Sequence, residues 1–148
     1  MAETLGSLCD KLTIIKLKQY HADNDDKLNS LRGQEEQLVA EINEYLENVL
    51  TGTIPLHKLE FAGNKVYKAE GNETREIGGM IGEVFSELAK VNCDLWHEQE
   101  KVYDFASIPV AEKDKVIKKL ALLNLERNKC IDRINQALKE SIESGRNN

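Results

Sequence analysis

The sequence predicts an all-α protein, a four-helix bundle made of two αα-hairpins, and three observations predict it. Apolar residues recur at steps of three and four over most of the chain. Aromatic residues are sparse, with three Phe, four Tyr and one Trp in 148 residues, whereas a sandwich or barrel needs many aromatic and β-branched strands cut by turns. Turn formers are few as well: there are two Pro and nine Gly, and the glycines gather between Thr51 and Gly79.

The first helix is expected from Leu5 to Leu31. Thr4 stands as its N-cap, and its stripes are Leu5, Leu8, Leu12, Ile15 and then Ile14, Leu17, Leu28, Leu31. Gly33 sits where a left-handed residue would stop it, and the cluster Asp23, Asn24, Asp25, Asp26 is the one place where it would break earlier. A second helix follows from Gln34 to Leu50 on Leu38, Ile42, Leu46 and Val49, and Gly52 ends it. From 51 to 79 no helical period persists, and an irregular crossover is expected. Within it Leu59 to Ala62 and Lys65 to Ala69, around Gly63-Asn64, suggest a small β-hairpin. The third helix resumes on Ile81, Val84, Phe85, Leu88, Val91, Leu95 and Val102 and runs to Phe105, with Ser107 and Pro109 marking a turn. The last runs from Ala111 to Ser144 on Val116, Leu120, Leu123, Ile131, Ile134, Leu138 and Ile142, with Gly145 as its stop.

Sliding the chain by 76 residues lays Leu5 to His21 on Ile81 to His97. Gly6 meets Gly82, Leu12 meets Leu88 and His21 meets His97, while Tyr20 faces Trp96. The expected organisation is thus one helical domain over 1–148, with related halves at about 4–50 and 80–144 and a pseudo-two-fold axis between them.

Charge narrows the function classes. The net charge is -6 and the isoelectric point is near 5.2, so phosphate contacts would have to work against the global field, and nucleic acid is disfavoured as a partner. The opening MAETLGSLCDKLTIIKLK has no basic stretch followed by an unbroken apolar one, and no run approaches the ~20 apolar residues that span a bilayer. Cys9, Cys93 and Cys130 are odd in number and widely spaced, as suits reduced thiols in a cytoplasm. No phosphate-binding glycine loop, G-x-S-x-G or H-E-x-x-H is present.

Two stretches resemble known proteins. LWHEQEKVYDF, a short Pro-containing turn and LNLERNKCIDRIN, between Val91 and Leu138, resemble the end of a bacterial all-helical family of unknown function. Its members carry a Trp-His pair followed by an N-x-x-R-N/T-x-x-I-D pattern, often near polysaccharide-synthesis genes. The N-terminal LCDKLTIIKLKQYH is similar to short hypothetical proteins of bacterial and phage genomes. The resemblance implies an all-helical fold and supplies no activity.

The candidate binding residues are Tyr20, His21, Trp96 and His97, with Asn124, Arg127, Asn128 and Asp132. Cys93, His97, Glu100 and Asp104 share one helical face, but the matching positions Leu17, His21, Asn24 and Leu28 lack ligands, so no metal and no cofactor are expected. Asn124, Asn128 and Asp132, with Arg127 and Asn135 alongside, border the apolar stripe, so some must find buried partners. They read as a network fixing helix register, or as a polar pocket facing Trp96-His97 for a small anionic or amide ligand. Glu112 to Lys139 hold eight basic and four acidic residues, read as a solvated face. Glu41, Glu44 and Glu47 show the E-x-x-E spacing of helical nucleotide pyrophosphohydrolases, but no E-x-x-D follows to complete a magnesium site.

These readings favour a non-enzymatic accessory or interaction protein over a ligand-binding protein or enzyme. No catalytic residue is assigned. Helix 1 is apolar round much of its circumference (Leu5, Leu8, Cys9, Leu12, Ile14, Ile15, Leu17), which predicts a homodimer through helix 1 or its placement at the bundle centre.

Overall fold

A computed structural model describes residues 2–61 and 75–146. Among the described residues lie four α-helices: α1 (Leu5–Tyr20), α2 (Asp25–Leu50), α3 (Ile81–Tyr103) and α4 (Val110–Arg146). Short 3-10 turns occupy Leu56–Lys58 and Phe105–Ser107. The helices pack as the all-α bundle that the periodicity predicts. The expected β-hairpin around Gly63-Asn64 falls largely outside the described residues.

The first hairpin turns earlier than the apolar spacing predicts. Helix α1 stops at Tyr20 instead of Leu31, with the His21 amide still bonded back to the Leu17 carbonyl at 3.1 Å. Asn24 then caps α2, its side-chain oxygen accepting from the Lys27 amide at 2.8 Å, and Asp25 and Asp26 fall in the first turn, where the helix dipole favours anions. The acidic cluster is therefore a helix start, and Gly33, the expected stop, lies inside α2 and exposed. At the other end Gly52 takes a φ of +80°, a conformation that glycine adopts without a Cβ penalty. Pro109 accepts from the Glu112 amide at 2.8 Å at the head of α4.

Helix α1 is the axis of the bundle. It packs against α2, α3 and α4, while α3 runs along α4 and α2 rests mainly on α1. Leu5, Leu8 and Cys9 of α1 join Val49, Leu59, Val84, Leu88, Cys130 and Ile134 in one buried cluster. Each large apolar side chain buried there contributes roughly 1.5–3 kcal/mol of transfer free energy. This central placement accounts for most of the apolar circumference of α1. No helix among the described residues is long and apolar enough to cross a membrane.

Capping ties α1 to α4. The Thr4 hydroxyl accepts from the Ser7 amide at 3.2 Å, and the Gly6 amide, another donor of the first turn, is met from across the bundle by Asn135 Oδ1 at 2.7 Å. That contact brings the α4 backbone so close that a Cβ on residue 6 would collide with the Ile131 carbonyl oxygen. The chain entering α3 is clamped too: Arg133 donates to the Gly79 carbonyl from Nε at 3.1 Å and from Nη2 at 2.9 Å.

Candidate functional site

Three helices meet at a buried polar bridge. Asp10 of α1 is buried, and Arg127 of α4 donates to both its carboxylate oxygens, from Nε at 2.8 Å to Oδ1 and from Nη2 to Oδ2. Asn92 of α3 donates to Asp10 Oδ1 at 2.9 Å and to Thr13 Oγ1 at 2.7 Å, and the Thr13 hydroxyl donates to the Asp10 carbonyl. The hydrogen bonds to the Asp10 carboxylate push the Arg127 guanidinium pKa further up. Asn92 Oδ1 is buried without a hydrogen-bond partner among the described residues. Arg127 and Asn135, eight residues apart on α4, thus face Asp10 and Gly6 of α1 and fix the register of the two helices.

The paired aromatic and histidine positions come together in an unexpected combination. His21 stacks on Trp96, ring centroids 4.7 Å apart and planes 7° apart, and the Tyr20 ring meets His21 edge-on at 5.1 Å. His97, which the repeat aligns with His21, is exposed, with Nδ1 3.9 Å from Glu100 Oε2. The two histidines are not equivalent because α1 ends before His21, whereas α3 continues through His97. Trp96 Nε1 donates to Glu100 at 2.9 Å. Lys18, His21, Lys27, Ser30, Gln34 and Trp96 border an open cleft of about 380 Å³.

The rest of the expected polar pocket is dispersed. Arg127 borders a different cleft, of about 430 Å³, over α1 beside α2, with Asp10, Lys18, Gln34 and Glu41. Asn124 is exposed and donates to the Leu120 carbonyl of its own helix, and Asn128 and Asp132 are half-buried. Glu41, Glu44 and Glu47 are exposed along α2, and Asp104 caps α3 beyond its last turn. Among the described residues no group of three or more His, Cys, Asp and Glu side chains is gathered closely enough to hold a metal ion.

The lysines at the head of α4 work within its hairpin. Lys113 lies over the Phe105 ring at 4.7 Å, and Lys119 reaches Glu98 of α3 at 3.0 Å. Glu98 is buried, and Lys101 also donates to its Oε1, at 2.9 Å. Burial pulls the Glu98 carboxyl up, but the hydrogen bonds from Lys101 and Lys119 outweigh it and hold the group below its ordinary value of 4.5. The second carboxylate oxygen, Oε2, has no hydrogen-bond partner among the described residues.

One site is missing from the sequence candidates. Helices α2 and α3 both rest on α1 but scarcely meet, and an apolar groove of about 560 Å³ runs between them. Leu12 and Leu17 of α1 and Phe85, Ala89 and Cys93 of α3 line it, with Tyr20 at one end. Lys16 and Glu35 stand at its edge, 3.0 Å apart. The excess of apolar positions on α1 was the available signal, but only the gap between α2 and α3 turns that excess into a groove. Cys93 is half-buried in this lining. Cys9 and Cys130 are buried, and desolvation pushes both thiols up to about 11, so they are inert.

Neither the family models nor the curated proteins nor the solved structures contain a match to this chain.

Proposed function

We propose that the protein is a non-enzymatic helical binding module that takes up a partner in the groove between α2 and α3. The groove itself carries this reading: it is the largest of the clefts described, and nearly all its lining is apolar, as in a surface that gains from being covered. Several of the acidic, basic and imidazole groups that would otherwise suggest chemistry are engaged between helices. Asp10 is gripped by Arg127, Glu98 by Lys101 and Lys119, and the His21 ring lies flat on Trp96. The homodimer expected through helix 1 narrows to one geometry, because α1 is surrounded by α2, α3 and α4 and offers an outside partner mainly the groove floor at Leu12 and Leu17.

The test is a fluorescence titration of the full chain with Nile red, a small uncharged apolar dye, beside an Ala89→Glu variant. Ala89 is exposed on α3, so the charge enters the groove without disturbing the core. Saturable binding to the parent that disappears in Ala89→Glu, at an unchanged melting temperature, is the expected result. Equal binding by the two proteins, or none by either, overturns the reading.

A further inference from the structure

We propose that the groove between α2 and α3 holds a small molecule, a single hydrocarbon chain of about ten carbons with an uncharged head. This rests on the reading of the protein as a binding module and names the chemical class of what it binds.

The apolar ground is too small for a protein. Nine residues line the groove, whereas a specific protein interface draws on about 20–30 residues a side. Around the lining the surface turns to charge of both signs, Arg32 and Lys90 against Glu36 and Asp94, so a wider footprint would cover cations and anions together. A volume of about 560 Å³ instead matches the ~300–1,000 Å³ of small-molecule pockets.

The shape argues for a chain. Asn92 meets Asp10 and Thr13 while Trp96 meets His21, so α1 and α3 run the same way and their lining stretches lie side by side. Those stretches, Leu12 to Tyr20 and Phe85 to Cys93, each span eight positions, or about 12 Å along a helix axis. Carbon–carbon bonds of about 1.5 Å in a staggered zigzag advance about 1.25 Å each, so about ten carbons cover that length.

The polar atoms of the lining argue for an uncharged occupant, because they are already engaged with one another or with the core. The Thr13 hydroxyl donates to the Asp10 carbonyl and accepts from Asn92, both at 2.7 Å. Lys16 donates to Glu35 at 3.0 Å and to Gln19 at 3.1 Å, and Gln19 donates to the other oxygen of Glu35. The cation and the anion of the lining thus neutralise each other, and neither is left over to offset a charge on a ligand. What the groove has to offer is apolar surface, and a hydrocarbon chain is the ligand that gains from it without leaving a polar group unpaired.

The experiment displaces Nile red from the full chain with hexanol, octanol, decanol and dodecanol. Each methylene added up to decanol should tighten displacement about two- to fourfold, and the last two carbons of dodecanol, lying beyond the groove, should together add less than about twofold. Decanoate and decyltrimethylammonium should displace no better than decanol. Saturating decanol should slow the reaction of N-ethylmaleimide with Cys93, the half-buried thiol of the lining, at least about threefold. Displacement that ignores chain length, an advantage of about tenfold for either charged head, or labelling of Cys93 untouched by decanol overturns the proposal. So does displacement of the dye by an uncharged, leucine-striped peptide of about 15 residues when no alkanol displaces it, which gives the groove to a protein helix. Sedimentation equilibrium showing a dimer of the chain alone that Ala89→Glu dissolves gives it to a second copy and overturns the proposal too. In the last two cases the groove is still a binding surface and the binding-module reading stands, whereas absence of both dye and alkanol binding removes both.

Discussion

Gly6 and Asn135 meet where the first helix begins, the amide of one 2.7 Å from the side-chain oxygen of the other, with the Ile131 carbonyl filling the space that a methyl group would need. Gly6→Ala should therefore push α1 off α4 and lower stability by about 1–3 kcal/mol. Gly82, its partner in the 76-residue repeat, has open space where a methyl group would stand and lies in the first turn of α3. Gly82→Ala should raise stability by up to about 1 kcal/mol through helix propensity. Urea denaturation midpoints of the two variants should move in opposite directions, and a shared direction would contradict the close approach at Gly6.

Asp10 and Arg127 should behave as a unit. Asp10→Ala leaves a half-buried guanidinium and the buried Asn92 amide short of their acceptor, for a loss of about 2–4 kcal/mol, lower than for a fully buried pair because Arg127 retains some solvent. Arg127→Lys should recover little, since an ammonium cannot reproduce the two-pronged grip. A double-mutant cycle on Asp10→Ala and Arg127→Ala should show coupling above about 1 kcal/mol. Additive losses would mean that the two side chains contribute separately.

Gly33 discriminates between the two placements of the first turn. Inside α2, exposed and with open space around it, Gly33→Ala should stabilise the protein by about 0.5–1 kcal/mol. Were Gly33 a left-handed helix stop, the same substitution would destabilise. The sign of the change in thermal midpoint decides.

Glu98 gives the α3–α4 hairpin an acid sensitivity. Its carboxyl titrates lower in the fold than in the unfolded chain, so its stabilising effect is complete above the ordinary value of 4.5 and fades as pH falls through the lower folded value. Glu98→Gln should be less stable than the parent at pH 7, and the gap should narrow on acidification below about pH 4. Circular dichroism melts across that range measure it, and a gap independent of pH would count against an ionised Glu98 in the clamp.

The bundle was legible in the spacing of apolar residues because helix periodicity is a local property. The end of α3 was read closely, since Pro109 punctuates the turn after it, whereas α4 runs through Gly145, the expected stop, to Arg146. The first turn was misplaced because leucines at 28 and 31 continue the stripe of α1 in number but belong to α2, and Asn24 with Asp25 and Asp26 was read as a possible break when it is a cap. The polar stripe of α4 was read correctly as needing partners, yet the spacing did not reveal that Arg127 reaches Asp10 while Asn124 faces solvent. The repeat brought Tyr20, His21, Trp96 and His97 into view, but the stack unites His21 with Trp96 because α1 is the shorter helix. The groove was beyond reach of the sequence, since it exists only where α2 and α3 fail to meet.

The central position of α1 also sets an order of events during synthesis. Its defining contacts join residues 129 and 117 positions apart, Gly6 with Asn135 and Asp10 with Arg127. Helix α1 must wait for α4 to be synthesised before these contacts can form, and loop closure over such distances is slow. During that interval Leu5, Leu8 and Cys9 have only α2 and α3 to cover them. The last helix is the closing piece, and chains ending short of Asn135 should leave the ribosome with their first helix still unsheathed.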